Sequence, residues 1–396
     1  MTFLQKYRGL LPLLALLLAL CGCSSFLDSE YEQISDHDAV ASDNDDEDES
    51  DVVTVSTYTG LKNAILTMVK NGKETGTIRL QNYDGEPAED ISKAISEVGQ
   101  STPFGAYAVD YFDHDKAQIL SYYELYLTIN YKRTAKQIGN IISTYSTTQA
   151  EEILREAVSE SDTYLAILSS SGIASESFIY EYLEGYYYEN PLQMLLLPEI
   201  SINIYPESGS QRIAEIEFTY GDSAVDISDM LEELNARAES LSEETKAMST
   251  SEGVRTILLC ASLSEVVVPE SEVNSEEQTN IITNTAYGAL VGGVSDSEGY
   301  AMAFKALCDL MDIECYVVAG QLAEQSHFWN IVNIDGSYYH VDPIMCDVNG
   351  IETAFLLSDS AMLGEEYKWN TENYVLCEGT LTYYDFAGFL TDESTR

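Results

Sequence analysis

The segment that decides the fold of the C-terminal part runs from residue 328 to residue 342 and reads FWNIVNIDGSYYHVD. Alternating residues flank Asp335-Gly336, and an Asp-Gly pair in that setting is a strong signal for a two-residue β-hairpin turn. A loop of these two residues pairs Ile334 with Ser337 and thereby sets the register of both strands. The sequence therefore predicts an antiparallel hairpin here.

This register brings a histidine and a carboxylate to one face of the predicted sheet. Asp342 faces Trp329, and His327 lies diagonal to Asp342 at roughly 7–8 Å, a gap that long side chains can bridge. A carboxylate that binds one imidazole nitrogen orients the ring and leaves the other nitrogen free. We therefore predict a hydrogen bond between His327 and Asp342. His340 lies further into the hairpin, opposite Ile331, where we expect it to pack or to be partly exposed.

A second predicted element is a helix that begins near Ser297. The apolar residues after it recur at helical spacing and mark one buried face: Ala301, Phe304, Leu307, Cys308 and Met311. The first turn of a helix presents free N–H groups and the positive end of the dipole, which favour an anion. A hydroxyl gains little from this field because its pKa lies far above neutrality, and serine also serves well as an N-cap. Both an N-cap and a nucleophile position stay open for Ser297.

Four motifs in this order resemble the core of the transglutaminase-like family, whose fold is related to that of papain-like cysteine proteases. They are Tyr287-Gly288-Ala289-Leu290, Ser297-Glu298-Gly299-Tyr300-Ala301, His327-Phe328-Trp329-Asn330 and Tyr338-Tyr339-His340-Val341-Asp342. The resemblance covers roughly residues 279–386, little more than a quarter of the chain. It implies a papain-like α+β core for this part.

The resemblance also implies roles for individual residues. Ser297, His327 and Asp342 match the family's nucleophilic cysteine, its base and its orienting acid. In the family, a thiolate attacks a glutamine or another amide carbonyl, and an amine or water resolves the thioester. A substrate groove is assigned to Tyr287, Tyr300 and Trp329. A large aromatic residue such as Trp329 can equally pack in the core.

The serine at the nucleophile position favours a catalytically silent domain, or pseudoenzyme. An alcohol must lose its proton to a general base during attack, whereas the cysteine enzymes use a preformed thiolate–imidazolium pair. Oxygen also reaches less far than sulfur, and a misplacement of about 1 Å can cost about a hundredfold in rate. Cys308 is no replacement, since it lies on the buried helix face about 16 Å from Ser297. Cys346, just after Asp342, would need a geometry of its own.

Two classes of function stay open. The first is a module that binds an extracellular protein or peptide with a domain that has lost its nucleophile. The second is a surface amide hydrolase or acyltransferase that uses a Ser297-His327-Asp342 triad. Neither requires a cofactor, and with four histidines and no C-x-x-C pair the sequence predicts no metal site.

Residues 1–22 have the features of a bacterial lipoprotein signal peptide. Lys6 and Arg8 precede an apolar run that is too short for a stop-transfer helix. The run ends in Leu20-Cys21-Gly22-Cys23, which resembles a lipobox with Cys23 as the lipid acceptor; cleavage of an ordinary signal peptide near Gly22 is the alternative. We expect a lipid anchor on Cys23 to hold the chain on the extracytoplasmic face of the cell membrane.

The remaining chain divides into four predicted parts. Residues 23–54 form an acidic tether, predicted to be disordered because twelve acids and no Lys or Arg lie between Asp28 and Asp51. Residues 55–145 and 146–225 form two α+β repeats, in which helix, strand, helix and strand recur at an offset of about 88 residues. Residues 226–396 form a helical lead-in and the transglutaminase-like domain. The predicted fold class is α+β throughout.

The composition excludes several classes of protein. The chain of 396 residues has 19 basic and 67 acidic residues and a net charge of −48. This charge argues against nucleic acid as a partner, because Lys and Arg are needed to neutralise phosphate. Apolar residues make up 45% of the chain, enough to build cores, so wholesale disorder is excluded. The five cysteines beyond residue 23 are odd in number, which argues against a disulfide scaffold.

Overall fold

The computed structural model describes residues 52–221, 227–273 and 282–388. These residues form helices and β-sheets, so the predicted α+β class is confirmed, with two α+β repeats ahead of a C-terminal unit. The predicted signal peptide of residues 1–22 and residues 23–51 of the predicted tether, including Cys23, lie outside the described residues. Within the described ranges, no helix combines the length and the apolar character that crossing a bilayer requires.

The first repeat is a four-stranded sheet covered by helices. Its elements are β1 (Val52–Val55), α1 (Tyr58–Lys70), β2 (Thr75–Gln81), α2 (Pro87–Ser101), α3 (Pro103–Ala108), β3 (Val109–Ile119), β4 (Tyr122–Tyr131) and α4 (Ala135–Gly139). The strand order is β1-β2-β4-β3, with β1 parallel to β2 and the other pairs antiparallel. Apolar residues at helical spacing on α1, such as Leu61 and Ile65, are fully buried in the core of this repeat.

The second repeat has the same sheet topology. Its elements are β5 (Ile142–Ser143), α5 (Thr147–Ser159), β6 (Tyr164–Ser170), α6 (Glu176–Glu189), β7 (Glu199–Tyr205) and β8 (Gln211–Thr219). The order is β5-β6-β8-β7, again with one parallel pair followed by two antiparallel pairs. A short parallel strand opens each repeat, so both begin a few residues before the predicted boundaries at residues 55 and 146. Residues 52–54, the last three of the predicted tether, belong to β1.

A buried ion pair joins the two repeats. Arg133, which follows β4, donates through Nε and Nη2 to the two carboxylate oxygens of Glu215 on β8, at 2.8 and 2.6 Å. Glu215 is only 2% exposed, and the hydroxyl of Tyr164 donates to it as well, at 3.0 Å. Such bidentate pairs are geometrically specific. The pair therefore holds the first repeat in one orientation against the second.

The C-terminal unit contains a five-stranded antiparallel sheet and a central helix. Its elements are α7 (Ile227–Met248), α8 (Glu252–Val266), β9 (Val268–Pro269), α9 (Ala286–Leu290), β10 (Val294–Ser295), α10 (Ser297–Leu310), β11 (Cys315–Leu322), β12 (Gln325–Ile334), β13 (Ser337–Val341), α11 (Pro343–Asn349), α12 (Ile351–Ala354), β14 (Phe355–Leu357), α13 (Asp359–Gly364) and β15 (Tyr367–Lys368). The sheet order is β14-β13-β12-β11-β15. Strands β9 and β10 form a separate parallel pair.

The central helix α10 is more deeply buried than its pattern predicts. The spacing of apolar residues indicates one buried face, but all ten residues from Gly299 to Cys308 are buried. The helix packs against β11 and β12 on one side and against α7, α8, α9 and α11 elsewhere. Lys305 is tolerated inside this packing because it pairs with Asp309, one turn further along. The start of α10 is therefore held from several directions.

Candidate active site

The predicted hairpin carries His327 and Asp342 to the same place. Strands β12 and β13 pair Ile334 with Ser337 and Asn330 with Val341, which is the register that the Asp-Gly turn predicts. The ladder ends there, because Pro343 opens α11 and the Asp342 side chain caps that helix. His327 Nε2 lies 2.6 Å from Asp342 Oδ2, so the predicted hydrogen bond is present.

Asp342 is the centre of a fully buried hydrogen-bond cluster. Its Oδ2 also accepts from the hydroxyl of Tyr367 at 2.7 Å, and its Oδ1 accepts from the backbone N–H of Met345 at 3.1 Å. The side chain of Asp342 is 0% exposed and that of His327 is 12% exposed. Burial and the nearby carboxylate raise the pKa of Tyr367 strongly, so its hydroxyl stays a donor. The cluster fixes the imidazole ring and leaves Nδ1 without a hydrogen-bond partner among the described residues.

Ser297 occupies the first position of α10 and is not the N-cap. The N-cap is Asp296, whose carboxylate accepts from the N–H of Gly299 at 3.0 Å. The predicted N-cap role of Ser297 is therefore wrong, because the cap lies one residue earlier. Ser297 Oγ instead accepts from the backbone N–H of Phe328 at 3.3 Å. Among the described residues, no hydrogen bond joins this hydroxyl to the ring of His327. Ser297 therefore lies beside the strand that carries the imidazole, and among the described residues its hydroxyl oxygen contacts the backbone of that strand.

The start of α10 packs closely against the segment before it and against β12. A Cβ at Gly299 would come within 2.1 Å of Ser295 Oγ and 2.4 Å of the Thr283 carbonyl oxygen, so only glycine fits. Asn330 on β12 donates to the Ala301 carbonyl oxygen at 3.0 Å. These contacts set the distance between the helix and the hairpin, and hence between Ser297 and His327.

Two carboxyl groups next to Ser297 are shifted by burial. Burial raises the pKa of Asp296 and raises that of Glu298 to about 7. The hydroxyl of Tyr188, at the end of α6, donates to Glu298 Oε1 at 3.1 Å. The ring of Tyr188 also lies 5.9 Å from that of Phe328, centroid to centroid. The second repeat therefore contributes an aromatic side chain to the surroundings of Ser297.

His340, the other histidine of the hairpin, is fully buried and structural. Its Nδ1 accepts from the indole N–H of Trp329 at 2.9 Å, and its Nε2 lies 2.8 Å from Asp359 Oδ1. Burial lowers the pKa of His340. Its ligand atom and those of Asp359 and Cys377 lie within 4.8 Å of one another, close enough to hold a metal ion. Because the indole of Trp329 donates to Nδ1, the ring proton of neutral His340 is on Nε2, which donates to Asp359. In this arrangement neither ring nitrogen has a free lone pair for a metal ion.

Two of the three residues predicted to line a substrate groove are fully buried and cannot line it. Trp329 and Tyr300 are 0% exposed: the indole is used by His340, and the Tyr300 hydroxyl donates to Asp347 at 2.6 Å. Tyr287 is half-buried and donates to Glu233 on α7 at 2.7 Å. All three aromatic residues lie in motifs that resemble those of the family. A short sequence motif does not show whether an aromatic side chain is buried or exposed.

The cysteines of the C-terminal unit do not replace Ser297. Cys308 is 0% exposed and Cys346 is 1% exposed, and burial raises the pKa of both thiols well above the ordinary value. A nucleophilic thiol needs the opposite shift and access to substrate. Three residues around the site were missed by the sequence reasoning: Tyr188, Glu298 and Tyr367. The run of tyrosines at the end of α6 was the available signal for Tyr188.

Comparison with known proteins gives weak likenesses. No family model and no curated protein matches the chain. A solved structure described as a TGase is 12% identical over 55% of this chain and 60% of that one, with a TM-score of 0.25. A putative cysteine protease from Cytophaga hutchinsonii is 13% identical over 37% and 61% of the two chains, with a TM-score of 0.23.

A third solved structure is the periplasmic domain of TgpA from Pseudomonas aeruginosa bound to ethylmercury. It is 16% identical over 35% of this chain and 58% of that one, with a TM-score of 0.23. The chain thus spans less than two thirds of each of these structures. The identities and TM-scores are too low to assign the chain to a family.

Proposed function

We propose that this chain is a lipid-anchored extracytoplasmic protein whose C-terminal, transglutaminase-like domain is catalytically silent and binds protein or peptide. The observation that carries the proposal is the contact of Ser297. Its oxygen accepts from the N–H of Phe328, and among the described residues it has no hydrogen bond to His327. An alcohol without a base on its proton is a poor nucleophile at neutral pH.

A binding role fits the residues around Ser297. Tyr188 and Phe328 are half-buried aromatic side chains in contact with each other, and aromatic residues are enriched where proteins recognise partners. The Asp342 cluster holds the end of β12 rigidly, so this surface is preorganised and ordering it on binding costs little. The strong negative charge of the chain favours a partner that is basic or neutral.

The alternative function is a surface amide hydrolase or acyltransferase that uses Ser297, His327 and Asp342. The free Nδ1 of His327 favours it, because a base held by a carboxylate through its other nitrogen is the arrangement found in serine hydrolases. Catalysis would then require the Ser297 hydroxyl to leave Phe328 and donate to Nδ1. The resulting alkoxide-like oxygen would attack an amide carbonyl, and His327 would return the proton to the leaving amine.

A fluorophosphonate probe separates the two functions. The proposal predicts no labelling of Ser297 in the purified full chain, and no amide hydrolysis or transamidation above that of His327→Ala. Labelling of Ser297 that disappears in His327→Ala would establish the hydrolase instead. The anchor is tested separately in cells that express the full chain. Cys23→Ser should move the protein out of the membrane fraction, and Cys21→Ser should leave it there.

A further inference from the structure

We propose that the cleft between the two repeats binds a small ligand that carries a carboxylate or phosphate group. This cleft is a cavity of about 960 Å³, in the range typical of small-molecule sites. Strands β7 and β8, the start of α6 and the end of β4 contribute its walls. The site is separate from Ser297 and does not depend on the proposed function.

The first observation is one buried guanidinium nitrogen without a hydrogen-bond partner in the described part of the chain. Arg212 on β8 lines the cavity, and its Nε is buried with no hydrogen-bond partner among the described residues. The buried Nε–H has lost its hydrogen bonds to water and has no acceptor from these residues in their place, which is energetically unfavourable. Arg133, which also lies between the two repeats, by contrast donates from Nε and Nη2 to both carboxylate oxygens of Glu215. An anionic ligand would supply the missing acceptor.

The second observation is a further positive group in the same cavity. Lys132 lines it, with its Nζ donating to the Ala106 carbonyl oxygen at 2.9 Å and lying 5.2 Å from the centre of the Tyr205 ring. Two of the three ammonium N–H groups stay available to a ligand. Desolvation lowers the pKa of Lys132, which a bound anion would offset. Lys132 and Arg212 are thus two cations that line one cavity of a chain with 67 acids and 19 bases.

The other residues that line the cavity indicate which further chemical groups the ligand would carry. Ser175 and Ser177 bring the first turn of the 14-residue helix α6 to the cavity, where free N–H groups add to the positive potential. Ile204 and Tyr205 on β7 supply apolar surface. Two acids, Glu176 and Glu207, also line the cavity and, like Lys132, are exposed to solvent, so the buried Nε of Arg212 is the group that favours an anion here. A small molecule with one anionic end and an apolar body matches this distribution.

The test is calorimetric titration of the full chain in non-ionic detergent, at constant ionic strength. The probes are inorganic phosphate and succinate, which represent the two anionic groups. We expect saturable binding of at least one probe, and its identity assigns the group. Arg212→Gln should weaken that binding at least tenfold, because charge-assisted hydrogen bonds to arginine are lost. Arg155→Gln, on the exposed surface of α5, is the matched control and should leave the affinity unchanged.

Three results would overturn the assignment. They are no saturable binding of either anion, an unchanged affinity in Arg212→Gln, and an equal loss in Arg155→Gln, which would indicate a non-specific charge effect. Lys132→Gln is the second variant if Arg212→Gln does not fold. Lys132 is exposed, so its replacement should leave the fold intact and weaken binding severalfold.

Discussion

Glu298 makes the stability of the C-terminal unit depend on pH. Burial raises the pKa of this carboxyl from its ordinary 4.5 to about 7. Between these values the folded chain holds a proton that the unfolded chain has released, so the free energy of unfolding falls as pH rises. The stabilisation is fully present below pH 4.5 and is lost as pH rises through 7.

The expected size of this effect follows from the shift. At about 1.36 kcal/mol per pKa unit, the change between pH 5.5 and pH 8.5 is at most about 2 kcal/mol. Glu298 is only half-buried, so solvent screening reduces the expected change to about 1 kcal/mol. Glu298→Gln keeps the shape and a hydrogen-bonding group but cannot ionise. The variant should therefore gain about 1 kcal/mol relative to the wild type on going from pH 5.5 to pH 8.5.

The assay is urea unfolding followed by tryptophan fluorescence. Both tryptophans of the chain, Trp329 and Trp369, lie in the C-terminal unit, so the signal reports on the unit that contains Glu298. Glu181→Gln, on an exposed position of α6, is the control and should show the same difference from wild type at both pH values. A stability difference between wild type and Glu298→Gln that does not change with pH would show that Glu298 does not have a raised pKa in the folded chain. So would a wild type that gains stability over the variant at high pH.

Two further predictions concern packing and can be followed by circular dichroism during urea unfolding. Arg133→Ala should cost about 3–5 kcal/mol, because it leaves a carboxylate that is 2% exposed without its partner. Lys62→Ala, which breaks an exposed pair, should cost less than about 1 kcal/mol; equal costs would contradict the interpretation. Gly299→Ala should cost about 3 kcal/mol, because its Cβ would clash with the Thr283 carbonyl oxygen. Gly364→Ala, where a Cβ would meet no described atom within 4 Å, should be close to neutral, and a neutral Gly299→Ala would refute the packing argument.

The sequence predicts the core of the candidate site because its geometry is local. The Asp-Gly turn sets the hairpin register, and the register alone brings His327 to Asp342. Tyr367 could not be predicted in the same way. It belongs to the edge strand β15, 25 residues after Asp342, and reaches that carboxylate across the sheet. Contacts between distant elements depend on tertiary packing, which no short motif encodes.

The strands of the repeats show a similar limit. The sequence does not predict β3, because it is an edge strand in which six of eleven residues are exposed, four are charged and apolar residues do not alternate. β7 was also missed, although Ile200, Ile202 and Ile204 alternate along it and give a signal that could have been used. The burial of aromatic residues could not be predicted either. Trp329 and Tyr300 lie in motifs that resemble those of the family, yet both side chains are buried and hydrogen-bonded in the core.

We propose that an oxygen at position 297 silences a site in which His327 and Asp342 are hydrogen-bonded to each other. The most direct measurement is the pH dependence of iodoacetamide alkylation at that position in Ser297→Cys, read by mass spectrometry. The first turn of α10 and the N–H of Phe328 favour a thiolate, while the carboxyl groups of Asp296 and Glu298 oppose it. We expect the thiol of Ser297→Cys to form an ion pair with His327, with a thiol pKa at least about one unit below the ordinary 8.5 that returns towards 8.5 when His327→Ala is added. A pKa at or above 8.5 in Ser297→Cys would contradict it.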